Sequence, residues 1–200
     1  MNRSLKLCIL ILFLTGAVRA GAGVFGSPVI KPSEINEKAG IITGARLVVT
    51  LDNLILGASF YSHNLLRIET NIQDELINDS PYLELTYFGP EIGFKLFEFD
   101  ENHINLTIFG GTAYTSLFTH IRLDEQGDKY NPEYGEDWFY MLEPGLYYNG
   151  KLTSWLHYET GVSYRLPFQA DYTPKDFEIS FTDNDYKGIS VNFALQFGMF

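Results

Sequence analysis

The sequence predicts an all-β chain, an eight-stranded antiparallel up-and-down transmembrane β-barrel. Three observations lead there. The chain closes on ISVNFALQFGMF (189–200), in which Ile189, Val191, Phe193, Leu195, Phe197 and Met199 alternate with Ser190, Asn192, Ala194, Gln196 and Gly198. A period of two sustained over eleven residues exceeds the ~5–6 residues of a strand in a soluble sheet and matches the ~9–11 of a tilted membrane strand. Second, beyond a short leader no apolar run approaches the ~20 residues of a helical span, so a chain resident in a membrane must satisfy its backbone by closing a barrel. Third, from the second connection on, the links between alternating segments are short and long in turn, the pattern of barrels with tight periplasmic turns and longer external loops.

The bulk composition agrees. Two hundred residues suit one domain, and a hydrophobic content of 46 % argues against disorder. Aromatic residues make up 16 %, with 13 Tyr and 16 Phe against 2 Trp, and there are 18 Gly, a mixture that suits twisted, tightly packed strands. The formal net charge of −11 excludes nucleic-acid binding through a basic face.

The elements follow in order. Residues 1–20 read as a signal peptide: Arg3 and Lys6, then the eight apolar residues Leu7 to Leu14, then small residues that place cleavage after Ala20 or Ala22. The barrel is expected over 21–200. Cys8, the single cysteine, falls in the leader, so the mature chain is expected to hold no disulfide in an oxidising compartment. A first strand at 24–34 is interrupted by Pro28 and Pro32, and is kept because it brings the count to an even eight. In 41–51, Leu47, Val49 and Leu51 oppose Arg46 and Val48; in 54–63, Leu54, Leu56, Ala58 and Phe60 oppose Gly57, Ser59, Tyr61 and His63. In 82–99 the apolar phase passes from Leu83, Leu85 and Tyr87 to Ile92, Phe94 and Leu96 across Gly89-Pro90, and 138–149 behaves similarly around Pro144-Gly145; both predict a bulge. In 102–118, Ile104, Leu106 and Ile108 alternate with Asn105 and Thr107. In 152–166, Leu156, Tyr158, Val162, Tyr164 and Leu166 alternate with His157, Glu159, Gly161, Ser163 and Arg165. Short turns are expected near Asn36, at Asp52-Asn53, at Asp100-Glu101-Asn102 and at Asn149-Gly150. The long loops 64–81, 119–137 and 168–187 carry charges of −3, −4 and −3, so most of the acid falls on one rim, expected to be external.

Several stretches carry a resemblance: FGSPVIKPSEINEKAGIITGARL (25–47), LELTYFGPEIGF (83–94), LEPGLYYN (142–149), TGVSYRL (160–166) and the ending ISVNFALQFGMF. Together they resemble a family of uncharacterised small outer-membrane β-barrel proteins of Bacteroidota-type bacteria, and small eight-stranded surface-protein barrels are similar in layout. The resemblance implies an outer-membrane location in a Gram-negative cell envelope and carries over no reaction or functional residue. Phe197 and Phe200 are the expected C-terminal insertion signal, although Phe200 is one residue out of phase with the apolar face.

If the apolar face meets lipid, the lumen collects Arg46, Glu84, Glu91, Lys95, Glu143, His157, Glu159 and Arg165. An eight-stranded barrel is just filled by side chains, so these groups are expected to pair as a plug. Ser62 with His63, and His120 with Asp124, stand near the expected outer rim, but no spacing fixes a nucleophile, base and orienting acid, and the chain is expected not to be an enzyme. Asp124, Glu125 and Asp128 form an acidic cluster without the spacing of an EF-hand, so no metal site is assigned and no cofactor is expected. The function expected is that of a monomeric outer-membrane protein with a structural or surface-interaction role and acidic external loops. Its expected partners are outer-membrane lipid, the barrel-insertion machinery and periplasmic chaperones. Two other readings are a secreted lipocalin-like barrel holding a small apolar ligand, which needs an apolar lumen, and an envelope-modifying barrel enzyme, which needs a rim constellation of Ser, His and acid.

Overall fold

The computed structural model describes residues 23–36, 38–67, 82–118, 122–123, 129–130, 133–174 and 179–199. Long strands dominate: β1 (Gly23–Ile35), β2 (Lys38–Leu51), β3 (Leu54–Arg67), β4 (Tyr82–Phe99), β5 (Asn102–Phe118), β6 (Glu133–Lys151), β7 (Leu156–Phe168) and β8 (Gly188–Met199). Each pairs antiparallel with its sequence neighbours, and β1 pairs with β8, so the sheet closes in the order β1-β8-β7-β6-β5-β4-β3-β2. Closure leaves no edge strand. The leader, the loop 68–81 and Phe200 lie outside the described residues.

One end of the barrel carries both termini of the sheet and three tight connections; the other carries the Asn36 turn and the three long loops. Asn36, Asp52 and Asp100 all take positive φ (49°, 51° and 56°). Asn and Asp enter this left-handed region more readily than other side chains, which is why these residues make the reversals.

Alternation governs every strand. In β8, Ser190, Asn192, Ala194 and Gln196 are buried while Val191, Phe193, Leu195 and Phe197 are exposed, so the polar row faces the axis and the oily row faces out. Pro28 and Pro32 both point outward. Partners across the β1–β8 seam run Gly26–Phe197, Val29–Ala194, Ile30–Phe193 and Ser33–Ser190, skipping each proline and the residue before it, as expected where a backbone donor is missing. The ladder to β2 is uninterrupted, and it holds the first strand in place.

Three expectations need correction. No phase slip occurs at Gly89-Pro90 or Pro144-Gly145. Leu83, Leu85, Tyr87 and Glu91 are buried in one continuous inward row of β4, and Phe139, Met141, Glu143, Tyr147 and Asn149 in one row of β6. The register shift in the β4–β5 pair lies instead between Lys95 and Phe97. The apolar residues inverted there because the lumen at the long-loop end is itself apolar. Finally, β6 runs on to Lys151 and the reversal falls at 152–155, not at Asn149-Gly150.

The core lies inside the barrel, near the long-loop end. Part of the third long connection folds into the mouth: a two-residue hairpin (Asp171–Tyr172 with Phe181–Thr182) and a one-turn helix, α1 (Asp183–Tyr186). Tyr172, Phe181 and Tyr186 pack with Leu83, Leu85, Leu117, Phe139 and Met141 as one buried cluster. The loop is held by hydrogen bonds as well as by packing. Asn36 N–H donates to the Asp185 carbonyl (2.6 Å), Tyr186 Oη to Thr115 Oγ1 (3.1 Å), and Leu117 N–H to Tyr172 Oη (2.9 Å).

Candidate functional site: the barrel lumen and its two ends

Below the apolar cork the inward rows become polar. Each ionisable group sits there because a strand of period two must turn half its residues to the axis. Arg46 of β2 is 5 % exposed, Glu91 of β4 4 % and Glu159 of β7 3 %. Arg46 donates from Nε (3.0 Å) and Nη2 (2.5 Å) to the two oxygens of Glu91, a bidentate pairing, and from Nη1 to Glu159 Oε1. Ser59 Oγ donates to Glu91 Oε2 (2.8 Å) and Gln196 Nε2 to Glu159 Oε2 (3.0 Å), so both carboxylates have further donors.

A second cluster lies nearer the cork. Lys31 Nζ donates to Glu143 Oε1 (2.9 Å) and stands 3.3 Å above the centre of the Tyr61 ring. Tyr87 Oη (2.9 Å) and Ser163 Oγ (2.5 Å) also donate to Glu143, and Asn192 Nδ2 donates to Ser163 Oγ (2.9 Å). Tyr61 fits because Gly44 faces it: a Cβ there would stand 2.4 Å from Tyr61 Cδ1 and 2.3 Å from the Phe60 carbonyl. Arg165, 0 % exposed, forms a third cluster; it donates to Ser33 Oγ (2.7 Å), to the Tyr186 carbonyl (3.1 Å) and to the Glu34 carbonyl. It therefore ties the end of α1 to the end of β1.

Among the expected lumen residues, Arg46, Glu91 and Glu159 are thus brought together, Glu143 and Arg165 anchor separate clusters, and His157 is buried nearer the opposite end. Glu84 departs from the expectation: it occupies the outward row of β4, half-buried, with Thr86 Oγ1 3.4 Å away. Lys95 is half-buried and lines a cavity at the terminus-bearing end. Sequence reasoning missed Lys31, Tyr87, Asn192 and Gln196 as partners. Lys31 shares the inward parity of Phe25, Ser27 and Val29, a signal hidden by the two prolines.

At the long-loop rim, Ser62 and His63 are successive strand residues and so point to opposite faces. Thr86 Oγ1 donates to Ser62 Oγ (3.2 Å), whereas His63 is turned inward and 2 % exposed. They do not form a serine–histidine pair. His120, Asp124, Glu125 and Asp128 lie outside the described residues. In the capping loop, burial pushes the Tyr172 phenol up to about 12 and raises that of Tyr186 above its ordinary value.

The outer surface is the converse of the lumen. Phe60, Phe88, Ile92, Phe94, Leu106, Ile108, Leu146, Val162, Phe193 and Leu195 are each 40–52 % exposed, and they form one girdle. Among described side chains the charged residues in the outward rows are Glu34, Glu84 and Glu136, all at the long-loop end. Aromatic rings mark both margins: Tyr114 with Trp138 (5.0 Å between centroids) near the long loops, and Trp155 with Phe197 (6.2 Å) and Phe99 with Tyr148 (6.4 Å) near the termini.

No family model matches the chain, and no curated protein matches it in sequence. Among solved structures it is similar to Neisserial surface protein A, with a TM-score of 0.54 and 8 % identity over 88 % of this chain and 96 % of that one. It is also similar to Ail, the attachment invasion locus protein of Yersinia pestis, with a TM-score of 0.44 and 8 % identity over 89 % and 97 % of the two chains. The likeness to the first establishes the shared fold.

Proposed function

We propose that this protein is an outer-membrane β-barrel that is exported by its leader and presents its long loops outside, with a structural or surface-interaction role and no reaction of its own. One observation carries the reading: an uncharged girdle on the outside of a closed barrel whose ionisable residues, at the level of that girdle, are turned to the axis. From Ile189 to Met199 the oily row of β8 covers ten residue steps, about 33 Å along the strand at ~3.3 Å per residue. Tilted by ~40°, that row stands about 25 Å tall, the height of the apolar band in such barrels. In water, an apolar belt of this extent would be an aggregation surface. The aromatic rings at both margins suit the two membrane–water interfaces.

The lumen clusters act in this reading as a plug. Lys31, Arg46 and Arg165 stand against Glu91, Glu143 and Glu159, equal in number and opposite in sign, and the cork of Tyr172, Phe181 and Tyr186 closes the outer mouth. The lipocalin-like reading needs an apolar cavity, whereas here the apolar part of the lumen is filled by packed side chains. The similar Neisserial protein is named as a surface protein, which suits the role proposed. Bacterial fractionation tests the location: the chain should sediment with outer membranes, resist alkaline extraction and migrate faster in gels before boiling than after. Recovery from the soluble periplasmic fraction would sink the reading.

A further inference from the structure

The terminus-bearing end is not filled. A cavity of about 380 Å³ opens there, with Lys95, Glu98, Asp100, Asn105, His157 and Gln196 in its wall. Its floor is the ion network, since Gln196 Nε2 is already committed to Glu159. The register shift between Lys95 and Phe97 shapes this wall. It adds a residue to β4, so Phe97, 63 % exposed, turns out to the girdle while Lys95 and Glu98 both reach the cavity. Bulges re-aim side chains in this way.

The charges in the wall are ordered by depth. β4 runs from the long-loop end to the terminus-bearing end, so Lys95 lies deeper than Glu98 and Asp100. Three residue steps of strand separate Lys95 from Glu98, about 10 Å or less given the bulge. Lys151 at the lip is committed to Glu101 (2.5 Å). Lys95 has no carboxylate within salt-bridge distance among the described residues. Directly across the β4–β5 ladder from Lys95 stands Asn105, 4 % exposed, whose Oδ1 accepts no hydrogen bond among the described residues. A buried acceptor left without a donor is costly unless something supplies one.

We propose that this vestibule binds a short peptide zwitterion, carboxylate first: the C-terminal carboxylate at Lys95, a backbone N–H at Asn105 Oδ1 and the α-ammonium at Glu98 and Asp100. A simple anion would leave the acids of the lip facing like charge, and a simple cation would leave Lys95 uncompensated. The Lys95-to-lip span corresponds to a di- or tripeptide at ~3.3–3.6 Å per extended residue, and the volume falls in the range of small-ligand pockets. The binding does not depend on the membrane placement proposed above; that reading adds only that the ligand arrives from the periplasm.

The test uses the full mature chain folded in detergent micelles, with folding of every variant verified by the gel shift on heating. Triglycine, N-acetyltriglycine and triglycine amide are titrated calorimetrically. Triglycine should bind saturably at one site, and removal of either terminal charge should weaken it at least about tenfold. Lys95→Ala should weaken triglycine by a similar factor, while Lys38→Ala at the opposite end should leave it unchanged. Asp100→Asn should weaken triglycine but not its acetylated form. Absence of saturable binding, equal affinity for the three peptides, or wild-type affinity in Lys95→Ala would each overturn the proposal. Should Lys95→Ala fail to fold, Lys95→Gln takes its place, and the three-peptide comparison on the wild type decides by itself if neither folds. Failure of the binding leaves the membrane reading intact, and recovery of the chain in the soluble fraction leaves the binding intact.

Discussion

Arg46 shows what a single buried charge does in this fold. Its guanidinium satisfies Glu91 through two hydrogen bonds and Glu159 through a third, all in a lumen closed to water on the cork side. Removing the cation leaves two carboxylates facing each other without compensation, a change that typically costs about 3–5 kcal/mol. Arg46→Ala should therefore lower the urea midpoint of the barrel folded into lipid vesicles by an amount equivalent to that loss. The double substitution Arg46→Met with Glu91→Gln should recover part of it, because the mutual attraction is largely offset by desolvation when both partners are present. A midpoint unchanged in Arg46→Ala would mean that the network is solvated and is not a plug. At this scale the sequence was partly legible. Parity in a strand assigned Arg46, Glu91 and Glu159 to one face, but which acid meets which base depends on the tilt and register of three strands far apart in sequence.

The strands and the capping loop each have their own energetics. In β8 the outward row crosses from rim to rim, so cost should follow depth. Leu195→Arg, toward the middle of the girdle, should destabilise by about 2–4 kcal/mol, and Met199→Arg, at its margin, by about 0–1 kcal/mol. Equal costs would show that no depth-dependent hydrocarbon surrounds β8. The loop that carries α1 is sensitive to alkali. Burial holds the Tyr172 phenol above its ordinary value of 10.0, up to about 12, so the folded loop favours the neutral form. The contribution of that buried phenol is complete below about pH 10 and is lost progressively as the pH rises toward about 12. Ultraviolet difference absorbance should show tyrosinate appearing late, and Tyr172→Phe should remove one late-titrating group. The first half of β4 illustrates what one strand cannot reveal about itself. Leu83, Leu85 and Tyr87 look lipid-facing in isolation, and only the loop packed above them explains an apolar row turned inward.

For the molecule as a whole, the proposed plug of ion clusters and cork would close any aqueous path from the terminus-bearing cavity to the long-loop end. The purified barrel in a planar bilayer should accordingly give no stable single-channel current, and a steady ohmic conductance would contradict the packing around Arg46 and Tyr186. By itself the sequence determined the fold class, the strand count and, outside β4 and β6, the side of each strand that is oily. These are local properties: a period of two survives in any register, and turn chemistry at Asn36, Asp52 and Asp100 depends on a few adjacent residues. Only the tertiary structure decided that Lys31 pairs with Glu143, that Glu84 faces outward, that the third long loop folds back into the mouth, and that an unfilled pocket remains at the other end. Those outcomes depend on which residues are brought to the same height of the cylinder, a matter of strand tilt and stagger set by all eight strands together. No stretch of the chain encodes that height alone.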